Sequence, residues 1–179
     1  EVKRIQMIER TLLGTKVGLK ISTALTLTRA ELAVLLLEEL QLQTLVERRR
    51  LTNGIPAFYP PNSSTIPTPK ATDIEHSWAK NWITEGLDMA VPGLELFPDG
   101  SFQPDRPVDR ASYAMVNQGI LVFVTGSAAL TTQFLGETSR FPDVRGDNYA
   151  YNAIALNTSR GIMSVDKISG HFRPNNTVS

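Results

Sequence analysis

Cysteine is missing from this sequence, and so is an excess of charge of either sign. The absence of cysteine excludes disulfides, thiolate metal sites and thiol nucleophiles. Eighteen basic residues balance eighteen acidic ones, so no net charge favours binding to nucleic acid or to an anionic membrane. The longest apolar stretch, residues 111–130, is interrupted by polar residues and predicts a buried helix rather than a membrane span.

Patterns that carry catalysis or bind cofactors are also missing. The two histidines, His76 and His171, have no matching nucleophile, and no two carboxylates are marked as an acid–base pair. No glycine-rich phosphate loop occurs. The acidic residues near turns lack the ligand spacing of a calcium loop, so turn and cap roles are predicted for Asp99, Asp105, Asp143 and Asp147. We therefore expect a non-enzymatic chain without a metal or a cofactor.

One pattern occurs twice and, in part, a third time. Its last copy opens at Phe141-Pro142-Asp143-Val144 and continues to Gly170-His171-Phe172-Arg173-Pro174. The earlier copy keeps the same spacings: thirteen residues separate Trp78 from Val91 and Tyr149 from Ile162, and six separate Phe102 from Val108 and Phe172 from Val178. Repetition on this scale indicates one supersecondary unit used again, so function is expected on the surface that the units share.

Each unit is predicted to be a helix, a loop and a second helix. Gly161 is expected to end a first helix with positive φ, and Phe102 and Phe172 to pin the loops to the core. Thr28 and Glu31 have capping-box spacing, while Asp109 and Ser179 are the equivalent caps. Core positions of the second helices are predicted at Leu32, Leu35, Leu36 and Leu40 and at Ala111, Met115, Ile120 and Val124.

These elements divide the chain into three units and two linkers. The first unit, 1–50, is incomplete at its N-terminus and is predicted to hold helices at 2–13 and from Thr28 to about Arg50. A proline-rich linker spans 51–70, the second unit 71–125 and a second linker, with room for a short helical turn, 126–140. The third unit, 141–179, is truncated where its second helix would begin.

The repeated residues resemble an S-layer homology domain. Leu27-Thr28-Arg29-Ala30-Glu31 is similar to the Thr-Arg-Ala-Glu signature of that family, and Pro107-Val108-Asp109-Arg110-Ala111-Ser112 is a weaker copy. The resemblance implies a mainly α fold, with helix–loop–helix repeats in a pseudo-threefold arrangement around a central helical bundle. It also implies grooves between repeats that bind cell-wall polymers non-covalently, often acidic polysaccharides or peptidoglycan-linked polymers.

Two arginines are the main candidates for ligand binding. Arg29 and Arg110 each follow a helix cap, where free N–H groups and the helix dipole would favour an anion. The alternative is that each arginine pairs with an acidic residue of the adjoining repeat. Together with the resemblance, these residues favour a ligand role for Arg29 and leave Arg110 open. Glu31 of the signature completes this part of the site.

Two aromatic residues, Trp78 and Tyr149, are candidates for stacking on sugar rings. Their helical register with Ile83 and Ile154 predicts that they are mostly core, with an exposed edge. The candidate ligand-binding residues are therefore Arg29, Arg110, Glu31, Trp78 and Tyr149.

The leading hypothesis is a non-catalytic module of the bacterial cell envelope, exported to the surface or periplasm. Its partner would be an anionic cell-wall polysaccharide or peptidoglycan. The alternative is a structural subunit of a surface layer, filament or envelope complex, which would associate with itself or with neighbouring envelope proteins. A wall-acting enzyme would need a catalytic domain outside these residues.

Overall fold

Helices account for 43% of the described residues, and no β-strand forms among them, so the prediction of a mainly α fold is confirmed. The computed structural model describes residues 15–45, 48 and 70–178. The helix predicted at 2–13, nearly all of the proline-rich linker and the cap predicted at Ser179 lie outside these residues.

The first described helices belong to the first unit. Helix α1 spans Lys16–Ser22, and its N-cap Thr15 accepts a hydrogen bond from the N–H of Gly18. Helix α2 spans Arg29–Val34 and opens with the predicted capping box, in which Thr28 and Glu31 satisfy each other's backbone donors. The capping-box prediction is therefore confirmed.

The prediction of one continuous helix from Thr28 to about Arg50 is wrong. After Val34 the backbone continues as a π-helix, Leu35–Glu39, and Gln41 then takes a left-handed φ of 46°. Helical geometry resumes at residues 42–45. Because the break rotates the later side chains, the predicted core residue Leu40 is 49% exposed, while Leu42 is fully buried in its place.

The second and third units supply the remaining helices. Helix α3 spans Lys80–Asp88, and α4 spans Arg110–Thr125 with Asp109 as the predicted cap. A 3₁₀ turn at Ala128–Thr131 confirms the short helical turn expected between these units. Helix α5 spans Tyr151–Ser159 and is followed by Gly161 with φ 68°, as predicted.

Each second helix packs against the first helix of the next unit. Helix α2 packs on α3 in a core that includes Ala33, Ile83 and Phe102, and α4 packs on α5 in a core that includes Ala114 and Phe172. Phe102 and Phe172 are buried as predicted. The prediction of Val124 as a core residue is wrong, since Val124 is 48% exposed; Phe123 is buried instead.

Three residues that precede the cap positions are joined in a ring of backbone hydrogen bonds. Val108 N–H donates to the Leu27 carbonyl, Val178 N–H to the Val108 carbonyl and Leu27 N–H to the Val178 carbonyl, over 2.8, 2.9 and 2.9 Å. We refer to these three bonds as the backbone ring. It joins residues of all three predicted units directly.

Candidate functional site

The Arg29 side chain crosses from the first unit into the second. Arg29 is the first residue of α2 and only 9% exposed. Its Nε donates to the Phe102 carbonyl at 2.8 Å, Nη1 to the Gly93 carbonyl at 3.1 Å and Nη2 to the Glu95 carbonyl at 2.7 Å. All three guanidinium nitrogens are therefore engaged by backbone oxygens of the second unit.

Aromatic rings flank the same guanidinium. Its central carbon lies 4.9 Å from the ring centroid of Phe97 and 4.6 Å from that of Phe102, within the range of cation–π attraction. Burial lowers the pKa of Arg29, the nearby Glu95 opposes that shift, and Arg106 adds to it. An arginine stays protonated under such conditions, so Arg29 is a buried cation that holds two units together.

Arg110 makes the equivalent connection between the second and third units. Its Nε donates to the Phe172 carbonyl at 2.8 Å and its Nη2 to the Ser164 carbonyl at 2.6 Å, and the guanidinium lies 4.5 Å from the Phe172 ring. Within the described residues its Nη1 has no hydrogen-bond partner. Burial and the nearby Arg173 lower the pKa of Arg110. The side chain is half-buried and less completely bonded than that of Arg29.

Both arginines therefore hold adjoining units together, but not by the ion pairs that the sequence suggested as an alternative. The groups that accept their hydrogen bonds are backbone carbonyls of the next unit.

The free backbone N–H groups expected at the two helix starts are not there. Arg29 and Ala30 N–H groups donate to the carbonyls of Arg106 and Pro104 in the second unit, at 3.0 and 2.9 Å. At α4 the same bonds run from Arg110 and Ala111 to Asn176 and Pro174, at 2.9 and 3.0 Å. The expectation of an anion site on free N–H groups is wrong, because the adjoining unit already satisfies these donors.

The Glu31 carboxylate is engaged in the cap of α2. Its Oε2 accepts from both the N–H and the hydroxyl of Thr28, each at 2.8 Å. The cap fixes the first turn of α2, from which Arg29 projects. A direct contact of Glu31 with a ligand stays a prediction.

Trp78 and Tyr149 lie on the surface, so the expectation that they are mostly core is wrong. Trp78 is 55% exposed and Tyr149 is 77% exposed. Each residue precedes its helix by two positions, since α3 begins at Lys80 and α5 at Tyr151. The helical register therefore does not extend to them, and their exposed rings are available for contact.

Two grooves lie beside the signature arginines. The first groove has a volume of about 90 Å³ and is lined by Arg29, Phe97 and Arg106, among others. The second groove has a volume of about 300 Å³ and is lined by Arg110, Asp166, His171, Arg173 and Thr177, among others. Each groove therefore places a signature arginine near a second arginine.

The second arginines were not predicted from the sequence. Arg106 is exposed, lies 4.8 Å from the Phe97 centroid and donates to the Gln103 side chain at 3.1 Å. Arg173 is paired with Asp166 at 3.1 Å. Arg173 directly follows the repeated Gly-x-Phe segment, but its equivalent in the second unit is Gln103. Arg106 likewise has Asn176 as its equivalent in the third unit, so the repeat pattern marks neither arginine.

The shared role of two aspartates in positioning the loops was also not predicted from the sequence. Asp73 accepts hydrogen bonds from the N–H groups of Phe102 and Gln103, both at 2.8 Å. Asp143 accepts from the N–H groups of Phe172 and Arg173. Their equal separation from the two phenylalanines in the sequence was the clue to this shared role.

A family model of the S-layer homology domain matches residues 94–114 and 140–179, so the resemblance is confirmed. Domains of this kind are non-catalytic and bind cell-wall polymers, which supports a cell-envelope anchoring module associated with the cell surface or envelope. A comparison with curated proteins gave no match. Within the described residues no helix is long and apolar enough to cross a membrane, and no acidic or histidine cluster suits a metal ion.

Proposed function

We propose that the S-layer homology sequence of this chain serves as a non-catalytic anchor that binds an acidic cell-wall polysaccharide or a peptidoglycan-linked polymer non-covalently. On this proposal the protein is exported and acts at the bacterial surface or in the periplasm. The observation that carries the proposal is the second groove, where Arg110, His171 and Arg173 line about 300 Å³. A guanidinium offers bidentate hydrogen bonds to a carboxylate or phosphate.

The charges in the grooves support an anionic ligand. Burial is the main cause that lowers the pKa of Arg110 and of Arg29, and the nearby Arg173 and Arg106 lower these values further. Asp166, which pairs with Arg173, offsets part of the positive charge in the second groove. A bound anion would relieve the repulsion within each pair, and a carboxylate or phosphate matches the donors in size and charge.

The two signature arginines differ in their proposed roles. Arg110 keeps Nη1 without a partner among the described residues and would contact the ligand directly. Arg29 uses all three nitrogens on backbone carbonyls and would act by holding the first groove in shape. Glu31 would support Arg29 by fixing the helix start, and Trp78 and Tyr149 would cover apolar sugar faces.

We also propose that the three units have a pseudo-threefold arrangement around a central helical bundle. The backbone ring supports this, since Leu27, Val108 and Val178 each donate one hydrogen bond and accept one. The first turns of α2 and α4 also donate equivalent backbone hydrogen bonds to the carbonyls of the next unit, which supports the arrangement further. A single rotation repeated from unit to unit would produce both patterns.

The test of the proposal is sedimentation with purified bacterial cell-wall sacculi. Arg29→Ala is a poor probe, because it removes three bonds that hold two units together. Arg173→Gln is better, because its side chain is 57% exposed and lies in the groove without bridging units. Removing one charge-assisted hydrogen bond costs about 1.5 kcal/mol, so we expect roughly tenfold weaker binding at low salt.

Arg145→Gln is the matched control for Arg173→Gln. Arg145 is 86% exposed, pairs with Asp147 in the same unit and does not line either groove. We expect this variant to pellet like the unchanged protein. Equal binding by both variants, or an equal loss by both, would contradict the groove proposal.

A further inference from the structure

A cavity separate from both arginine grooves opens at the start of the second unit. It has a volume of about 490 Å³ and is lined by Thr72, Glu75, His76, Ser77, Trp78 and Asp105, among others. None of its lining residues belongs to the first or the second groove. A cavity of this size is in the range of small-ligand sites.

One wall of the cavity is a firmly supported aromatic ring. The Trp78 centroid lies 6.2 Å from that of Trp82, at an interplanar angle of 57°. Trp82 is itself fixed, because its Nε1 donates to Glu38 at 3.3 Å. Trp78 therefore packs against a hydrogen-bonded neighbour, and 55% of its surface is exposed. A supported, exposed indole offers a large apolar face at little cost in conformational entropy.

Three carboxylates line the cavity together with two hydroxyls and an imidazole, from Asp73, Glu75, Asp105, Thr72, Ser77 and His76. Glu75 is paired with Lys80 at 2.8 Å, and hydrogen bonding by Lys80 lowers the pKa of Glu75. Asp73 is occupied by two backbone N–H groups. The Asp105 carboxylate has no hydrogen-bond partner among the described residues and is exposed. An acidic ligand would be repelled here, whereas sugar hydroxyls donate readily to carboxylates.

We propose that this cavity is a subsite for an uncharged, hydroxyl-rich sugar residue, which stacks on Trp78 and donates a hydroxyl hydrogen bond to Asp105. The subsite deepens the proposed function and rests on it, since the neutral sugar belongs to the same wall glycan whose acidic groups occupy the arginine grooves. The arginine grooves would bind the acidic groups of the polymer, and the cavity beside Trp78 would bind its neutral sugars.

The third unit supplies an internal comparison. Tyr149 takes the position of Trp78 and Asn175 that of Asp105, because Pro174 matches Pro104. Beside Tyr149, an Arg145–Asp147 ion pair of 2.7 Å contributes charges of both signs. The third unit therefore lacks the unpaired carboxylate, and the neutral-sugar subsite is specific to the second unit.

The experiment compares native wall polysaccharide, released from sacculi, with the same polymer after its carboxylates have been reduced to alcohols. Binding is measured by calorimetry, and thermal unfolding shows that each variant is folded. Trp78→Ala is expected to weaken binding of the reduced polymer at least tenfold, and Asp105→Asn severalfold. Trp78→Phe should retain most of the affinity. Leu135→Ala is the control, because Leu135 is 58% exposed and lies outside the cavity, and it should not change the affinity.

A second readout follows the indole itself. The reduced polymer should shift or quench the tryptophan fluorescence of the unchanged protein, but not that of Trp78→Phe, in which Trp82 is the only tryptophan. Unchanged fluorescence, no binding of the reduced polymer, or equal affinity of Trp78→Ala would overturn the subsite. If Arg173→Gln binds native polymer normally while the dependence on Trp78 persists, the arginine-groove proposal fails and the subsite stands.

Discussion

At the scale of single residues, two carboxylates set the geometry of the loops beside the grooves. Asp73 and Asp143 each accept two successive backbone N–H groups, one of them from a buried phenylalanine. The residue after each phenylalanine has a positive φ, 56° at Gln103 and 59° at Arg173. The carboxylates thus hold a backbone turn that non-glycine residues rarely adopt.

Asp143→Asn is expected to destabilise the protein. A side-chain amide has only one oxygen, so one of the two N–H groups loses its acceptor. Because the site is partly open to water, we expect a loss of about 1 kcal/mol in the free energy of unfolding at neutral pH. Asp147→Asn is the control, since Asp147 pairs with Arg145 on the surface, and it should change little.

The effect of Asp143→Asn should depend on pH. Burial alone would raise the pKa of Asp143, but hydrogen bonds from Phe172 and Arg173 outweigh it and lower the pKa. A depressed pKa stabilises the folded state above the ordinary value of about 4, and this contribution is lost as the pH falls through the lower value. Urea unfolding should therefore give a smaller difference between variant and unchanged protein near pH 3. A constant difference would contradict this role.

Residue roles were predicted best where they depend on neighbours in sequence. The Thr28–Glu31 capping box, the Asp109 cap and the burial of Phe102 and Phe172 all follow from local spacing. The partners of Arg29 could not be predicted, because they are backbone carbonyls from more than sixty residues away. Every residue has a backbone carbonyl, so residue type does not indicate which carbonyl will accept the hydrogen bond.

At the scale of elements, the first helices of the second and third units end in the same way with different residues. Gly161 has φ 68°, and the equivalent Ala90 has φ 50°. Alanine in this conformation brings its Cβ close to the following carbonyl, a cost that glycine avoids. The spacing of the repeat aligns Ala90 with Gly161, but an alanine does not indicate a left-handed backbone conformation.

Ala90→Gly is expected to stabilise the protein. Relief of strain is worth about 1–2 kcal/mol, against about 0.4–1 kcal/mol for the greater freedom of glycine when unfolded. Ala90 is exposed, so the lost methyl group removes no core packing. We expect a gain of up to about 1 kcal/mol, measured by thermal or urea unfolding.

Gly161→Ala is the reverse test. An added Cβ at Gly161 meets no atom within 4 Å, so only backbone strain is introduced. This variant should lose about 1 kcal/mol. A loss of stability in Ala90→Gly as large as that in Gly161→Ala would refute the shared explanation.

The π-helix and the break that follow α2 could not be predicted from the sequence pattern. Leucines at 32, 35, 36 and 40 fit one helical face, yet the π-helix of Leu35–Glu39 moves that face. Glu39, the last residue of the π-helix, contacts the start of α1, since its carboxylate accepts hydrogen bonds from the backbone N–H and hydroxyl of Thr15. Hydrophobic periodicity indicates which residues are apolar, but it does not predict a hydrogen bond between residues as far apart in sequence as Thr15 and Glu39.

At the scale of the whole molecule, the units share their cores, so we expect them to unfold together. Arg29 ties the first unit to the second, and Arg110 ties the second to the third. Both tryptophans, Trp78 and Trp82, belong to the second unit, whereas circular dichroism reports helices in all three. We expect the two signals to follow one urea transition with the same midpoint. Separated midpoints would mean that the units unfold one at a time.

The backbone ring has a mechanical consequence. A chain of repeats joined only to their neighbours peels under tension from whichever end is pulled, one contact after another. Here Leu27 also bonds to Val178, so the first unit borders the third. Under the proposed function, tension on the attached chain would be shared among three junctions. The attachment would then resist steady pulling better than any single junction could.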